Sequence, residues 1–81
     1  MTLSWFSKPV QVSVGISGDI RIVENTGEAV YLLAHHWRHG GSPKHQAALL
    51  DCRRAMNGGV SAEIARQSFV EAAREARVLI E

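Results

Sequence analysis

The sequence predicts an α+β domain in which a β-hairpin precedes three α-helices, the order ββααα. Three observations carry the prediction. Valines alternate with polar residues near the N-terminus, a second alternating run follows a turn, and the apolar spacing then changes from two to three and four. Strands segregated from helices imply an α+β arrangement, with helices covering the apolar face of the hairpin.

In the first run Val10, Val12 and Val14 share one face, and Gln11 and Ser13 share the other. That period of two marks a half-buried strand. In the second run Ile20 and Ile22 flank Arg21. If both apolar sets face the core, Val14 lies opposite Ile20 and Val12 opposite Ile22, which leaves a three-residue loop, Ile16-Ser17-Gly18. Such loops commonly end in a left-handed residue, and Gly18 stands there. A two-residue loop at Ser17-Gly18 would instead set Val14 against Arg21. A one-residue slip turns a whole face over, so the first register is expected.

Asn25 and Thr26 are helix caps, and Glu28, three residues after Asn25, completes a capping box. Ala29, Leu32, Leu33, His36 and Trp37 then recur at helical spacing, and Gly40-Gly41 ends the first helix. Ser42 caps the second, with Pro43 at its favoured first position. Its apolar stripe is Ala48, Leu49, Cys52, Ala55 and Met56, and Asn57-Gly58-Gly59 stops it. Ser61 caps the third, whose inner face is Ala62, Ala65, Phe69, Ala72, Ala73 and Ala76. Its outer face carries Glu63, Arg66, Glu71, Arg74 and Glu75, with favourable pairs between Glu63 and Arg66 and between Glu71 and Arg74. Residues 78–80 suit either a last helical turn or a short third strand.

The 81 residues allow one domain spanning 1–81. At 46% apolar and 21% charged, the chain reads as folded and globular. Nine Lys and Arg against eight Asp and Glu leave a formal charge of +1, without the basic excess of a nucleic-acid binder. No basic amphipathic face points to a membrane surface, and no stretch has the length of a span. The one cysteine, Cys52, excludes an internal disulfide. The N-terminus lacks the pattern of a signal peptide. A cytoplasmic protein with neither nucleic acid nor membrane as partner is expected.

With these residues laid out, the chain resembles the DUF982 family of small bacterial proteins of unknown function. The resemblance rests on Trp5 before Pro9-Val10, on Ala29, Leu33 and Trp37, and on residues 48–52 with Gly58 following. Ala65-Arg66, Phe69 and the run from Ala72 to Ala76 complete it. It implies a stand-alone alphaproteobacterial protein, of rhizobia especially. It carries over no catalytic residue, ligand or partner.

Three leads could carry chemistry. His35 and His39, four apart, share a helical face and can chelate a transition metal, with His45 contributing across the Gly-Gly turn. A structural zinc site needs four ligands, and the competing reading is a polar helix end where imidazoles meet the carbonyl dipole. The turn Gly40-Gly41-Ser42-Pro43-Lys44 leads into a helix N-terminus, and with Arg38, Lys44, Arg53 and Arg54 it suggests an anion or nucleic-acid site. It lacks the spacing of a P-loop, Pro43 removes one donor, and an ordinary helix connection explains every residue. Cys52 falls in the apolar stripe and reads as core rather than as a reactive thiol. No nucleophile, base and orienting group fall at a connecting spacing, so no catalytic residue and no cofactor are expected.

A two-stranded hairpin leaves unpaired strand edges, and joining them across a twofold axis would remove them. The sequence thus predicts a non-catalytic interaction or regulatory module acting as a homodimer, with Trp5, Phe6, Val10 and Val12 near the seam. A third strand at residues 78–80 would weaken that expectation by covering one edge. The alternative is an anion, nucleic-acid or metal-binding module using residues 35–54.

Overall fold

The computed structural model describes residues 5–14, 18–37 and 40–80. Strands β1 (Trp5–Val14) and β2 (Asp19–Asn25) form an antiparallel hairpin. Helices α1 (Thr26–His35), α2 (Pro43–Met56) and α3 (Ala62–Glu75) follow. The ββααα order is as the periodicity predicts.

The caps also fall where the sequence places them. Asn25 accepts the Glu28 N–H at 2.9 Å, while the Glu28 carboxylate accepts the Glu24 N–H at 2.8 Å. Ser42 and Ser61 cap α2 and α3 in the same way, through the amides of His45 and Ile64. Helix α1 stops at His35, earlier than Gly40-Gly41, and His36 is its exposed C-cap.

The hairpin register differs from the expected one by one residue. Val14 pairs with Asp19, Val12 with Arg21 and Val10 with Val23. Ile20 and Ile22 therefore point away from the helices, opposite Ser13 and Gln11. The reason lies at the strand end. Asn25 must turn inward to cap α1, and it is buried. Successive side chains alternate, so Val23 shares its face and enters the core, and Ile22 cannot. Gly18 has the predicted left-handed backbone, φ 72°. Its loop partners Ile16 and Ser17 lie outside the described residues.

Between the Trp5–Asn25 and Val10–Val23 pairs the ladder is interrupted on the β1 side. Phe6 keeps the phase of Val10, Val12 and Val14 and is buried, 6.3 Å from the ring of Phe69. Two bonds to α3 hold it there, Ser7 Oγ to Glu63 at 2.7 Å and Arg66 Nε to the Lys8 carbonyl at 2.9 Å. Glu63 and Arg66 thus serve β1 through these bonds, whereas Arg74 and Glu71 meet at 3.1 Å as their spacing predicts.

Residues 78–80 run along the other side of β1. Val12 bridges Leu79, the Ser13 N–H donates to Val78 O at 2.7 Å, and the Ile80 N–H donates to Gln11 O at 2.9 Å. The chain reaches this position through a left-handed Arg77, φ 59°, after α3. The Arg77 and Val78 amides close a Schellman end on the carbonyls of Arg74 and Ala73.

The helices cover one face of the hairpin. Val10, Val12, Val14 and Val23 meet Leu32, Leu33 and Phe69, and Ala65, Ala72 and Ala73 let α3 approach closely. Trp37 closes this core from the end of α1, its ring 5.4 Å from that of Phe69. No helix among the described residues is long and apolar enough to cross a membrane.

Candidate interaction surface

Several of the residues singled out above are committed within the chain. His45 uses both ring nitrogens: Nε2 lies 2.7 Å from the Leu33 carbonyl, and Nδ1 accepts the Gly41 N–H at 3.1 Å. Those partners fix the tautomer with the proton on Nε2 and leave no lone pair for a metal. The side chain ties the end of α1 to the start of α2. His35 is exposed with its ring 5.1 Å from Tyr31, and His39 lies outside the described residues. No group of three or more His, Cys, Asp or Glu among the described residues is placed to hold a metal.

The basic candidates do not converge. Lys44 sits in the first turn of α2, whereas Arg53 and Arg54 sit in the last, about 14 Å further along the axis. Two carboxylates already occupy the surroundings of the α2 N-terminus. Glu71 lies 3.4 Å from Lys44, and Glu75 accepts the Ser42 hydroxyl at 2.5 Å. They neutralise the positive end of the helix where an external anion would bind. Arg38 lies outside the described residues.

Cys52 is fully buried between α2 and α3, with Sγ 3.9 Å from the Ala65 carbonyl. Burial, then the neighbouring Asp51 charge, pushes its thiol up to about 12. It is a core side chain.

Of the four residues expected at a seam, Phe6, Val10 and Val12 are buried against the chain's own helices. They cannot face a partner, because the valine face of the hairpin is the one the helices need. Trp5 remains 65% exposed.

The other exposed large apolar residues of the sheet lie on β2. Ile20 is 62% and Ile22 56% exposed. The backbone of β2 gives these residues a second property. Gln11 and Ser13 direct their hydrogen-bonding groups to residues 78–80, so Val10, Val12 and Val14 direct theirs to β2. Their partners Asp19, Arg21 and Val23 answer them. The backbone groups of Ile20, Ile22 and Glu24 therefore face the outer edge of β2. The Glu24 N–H agrees with this phase, since it is held by the Glu28 side chain rather than by β1. Among the described residues no strand pairs with that edge.

A groove of about 470 Å³ runs beside it, between β2 and α1. Arg21, Ile22, Val23, Glu28, Tyr31 and Leu32 are among the residues that line it. Tyr31 is exposed, and its ring packs beside those of His35 and His36. The surface thus combines outward backbone donors and acceptors, apolar side chains and, within the groove, one charge of each sign. A strand laid along β2 would satisfy the backbone groups, while its alternate side chains would enter the groove. The sequence conceals this surface because the alternation of Ile20 and Ile22 reads the same for an inward face as for an outward one.

The solved structure of Agrobacterium tumefaciens protein Atu1219, determined by NMR, is similar to this chain. Identity is 40% and the TM-score 0.79, covering 96% of this chain and 77% of that one. No curated protein matches the sequence. The family described as "Protein of unknown function (DUF982)" matches residues 8–80, which is most of the sequence and all of the fold but the first three residues of β1. The chain belongs to the DUF982 family.

Proposed function

We propose that this protein is a non-catalytic, cytoplasmic protein-interaction module that acts as a homodimer, joined through the outer edge of β2. The observation that carries the reading is the coincidence of an unpaired strand edge with exposed Ile20 and Ile22. Bare apolar edges are usually shielded by charge, proline or a covering segment. A small domain gains from covering one with a second copy, because the interface adds apolar burial that one chain lacks. Residues 78–80 already cover the corresponding side of β1, so β2 is the edge left to join.

A twofold axis perpendicular to the sheet would set the two β2 strands antiparallel and keep the helices of both copies on one side. Light scattering on the untagged chain tests the reading. At micromolar concentration the mass should be twice 8.9 kDa, unchanged by added zinc, and Ile20→Lys with Ile22→Lys should halve it while preserving the circular dichroism of the fold. A wild-type chain that stays at the monomer mass would contradict it.

A further inference from the structure

We infer that each copy inserts Arg21 into the groove between β2 and α1 of the other, where it meets Glu28 and the ring of Tyr31. The inference rests on the edge-joined dimer above and specifies its register.

Pairing two β2 strands about a perpendicular twofold axis keeps inward residues opposite inward residues. Two registers then allow both Ile20 and Ile22 to exchange backbone bonds with the partner's β2, since the one centred on Ile20 would set Ile22 against Gly18, the left-handed turn residue before the strand. In one, Ile20 faces the partner's Ile22, and Arg21 faces the partner's Arg21. That is a non-hydrogen-bonded pair, the closer of the two kinds, and it would set like charges side by side. In the other, Ile22 faces the partner's Ile22, Ile20 faces the partner's Glu24, and Arg21 faces the partner's Val23. Val23 lines the groove together with Glu28 and Tyr31. Arg21 follows the inward phase of Val12 and Val23, lines the groove of its own chain and is exposed at the strand edge, within reach of a neighbouring copy. In the second register that guanidinium enters a site that offers a carboxylate and an aromatic face, the groups it binds best.

The register also accounts for the place of Glu28. In the single chain its carboxylate holds the Glu24 N–H and so sits at the free edge. The partner's Ile20 carbonyl needs that same N–H. Joining the edges therefore exchanges acceptors: the Glu24 N–H passes to the partner's Ile20 carbonyl, and the Glu28 carboxylate passes to the partner's Arg21. Until a partner arrives, Glu28 caps the edge and limits pairing with unrelated strands. The second copy fits better than an arbitrary peptide because it brings a cation, Arg21, to a groove whose one carboxylate is Glu28.

Sedimentation velocity on the full chain over a dilution series tests the inference. Arg21→Glu and Glu28→Lys should each weaken dimerisation about tenfold or more, and the double variant should recover most of the loss. Glu28→Gln keeps an acceptor for the Glu24 N–H but removes the charge, and it should weaken the dimer as well. Ile22→Pro removes an outward N–H only, a position where an edge strand tolerates proline, so it should leave a folded monomer. If Ile22→Pro abolishes the dimer while the charge variants leave it unchanged, the edge-joined dimer stands and the inserted arginine is overturned. If the dimer survives Ile22→Pro, or the wild type is a monomer whose groove serves another partner, both readings fall together.

Discussion

Residues 78–80 bridge the outer side of β1, where they take up the Gln11 carbonyl and the Ser13 N–H. On the outer side of β2 the equivalent groups of Ile20 and Ile22 face outward beside two exposed isoleucines and a groove. One hairpin thus has one finished edge and one unfinished edge. The contrast follows from where this fold needs its apolar surface. The valines of β1 are needed inside to seat three helices, and Arg77 takes a left-handed backbone to bring the terminal bridge into place. Nothing comparable covers β2 among the described residues, and its isoleucines are not needed for the core.

Thiol labelling should expose the contrast most strongly. Cys52, fully buried and with its thiol pushed up to about 12, should react at least about a thousandfold more slowly than in urea, since labelling must wait for opening. A thiol introduced by Ile22→Cys should label in dilute protein near the rate of a free thiol. Equal rates would erase the distinction between core and edge. The same burial has a pH consequence. The unfolded thiol ionises near 9.0, and the folded one near 12. Between those values the unfolded chain binds fewer protons, so this group makes stability fall as pH rises through that window. Urea titrations at successive pH values measure it.

Truncation should follow the same division with smaller effects. Phe69→Ala removes the ring that Phe6 and Trp37 both pack against and should cost about 3–5 kcal/mol in urea unfolding. Val12→Ser, at a fully buried position, should cost about 3 kcal/mol through lost packing and a buried hydroxyl. Ile22→Ser should change the stability of dilute protein by no more than about 0.5 kcal/mol, while weakening association. At the finished edge, Arg77→Gly should stabilise the chain by about 1 kcal/mol, because glycine adopts the left-handed backbone without the Cβ penalty. Gly58 already occupies the corresponding position after α2, with φ 82°.

Much of the fold is legible in the sequence because it rests on local signals. Asn25, Ser42 and Ser61 announce their helices, Gly18 its turn, and the Ala65, Phe69, Ala72 stripe its buried face. The hairpin register is not legible in the same way. Val10, Val12 and Val14 have helices to meet, but whether Ile22 or Val23 joins them depends on the inward turn of Asn25, which ties β2 to α1 across the strand end. That one-residue difference moves Ile20 and Ile22 from core to surface and relocates the candidate interface from β1 to β2. From the sequence, His45 reads as a third metal-ligand candidate across the Gly-Gly turn. Its bond to the Leu33 carbonyl is long-range, and no spacing reveals it.

In the proposed dimer the outer edge of β2 pairs with a second copy of itself. Amide hydrogen exchange of Ile20 and Ile22, measured by NMR in concentrated and dilute samples, tests it most directly. Both amides should be protected at high concentration and should exchange freely on dilution, while those of Asp19, Arg21 and Val23, turned toward β1, keep their protection at both. Free exchange of Ile20 and Ile22 at every concentration would contradict the claim.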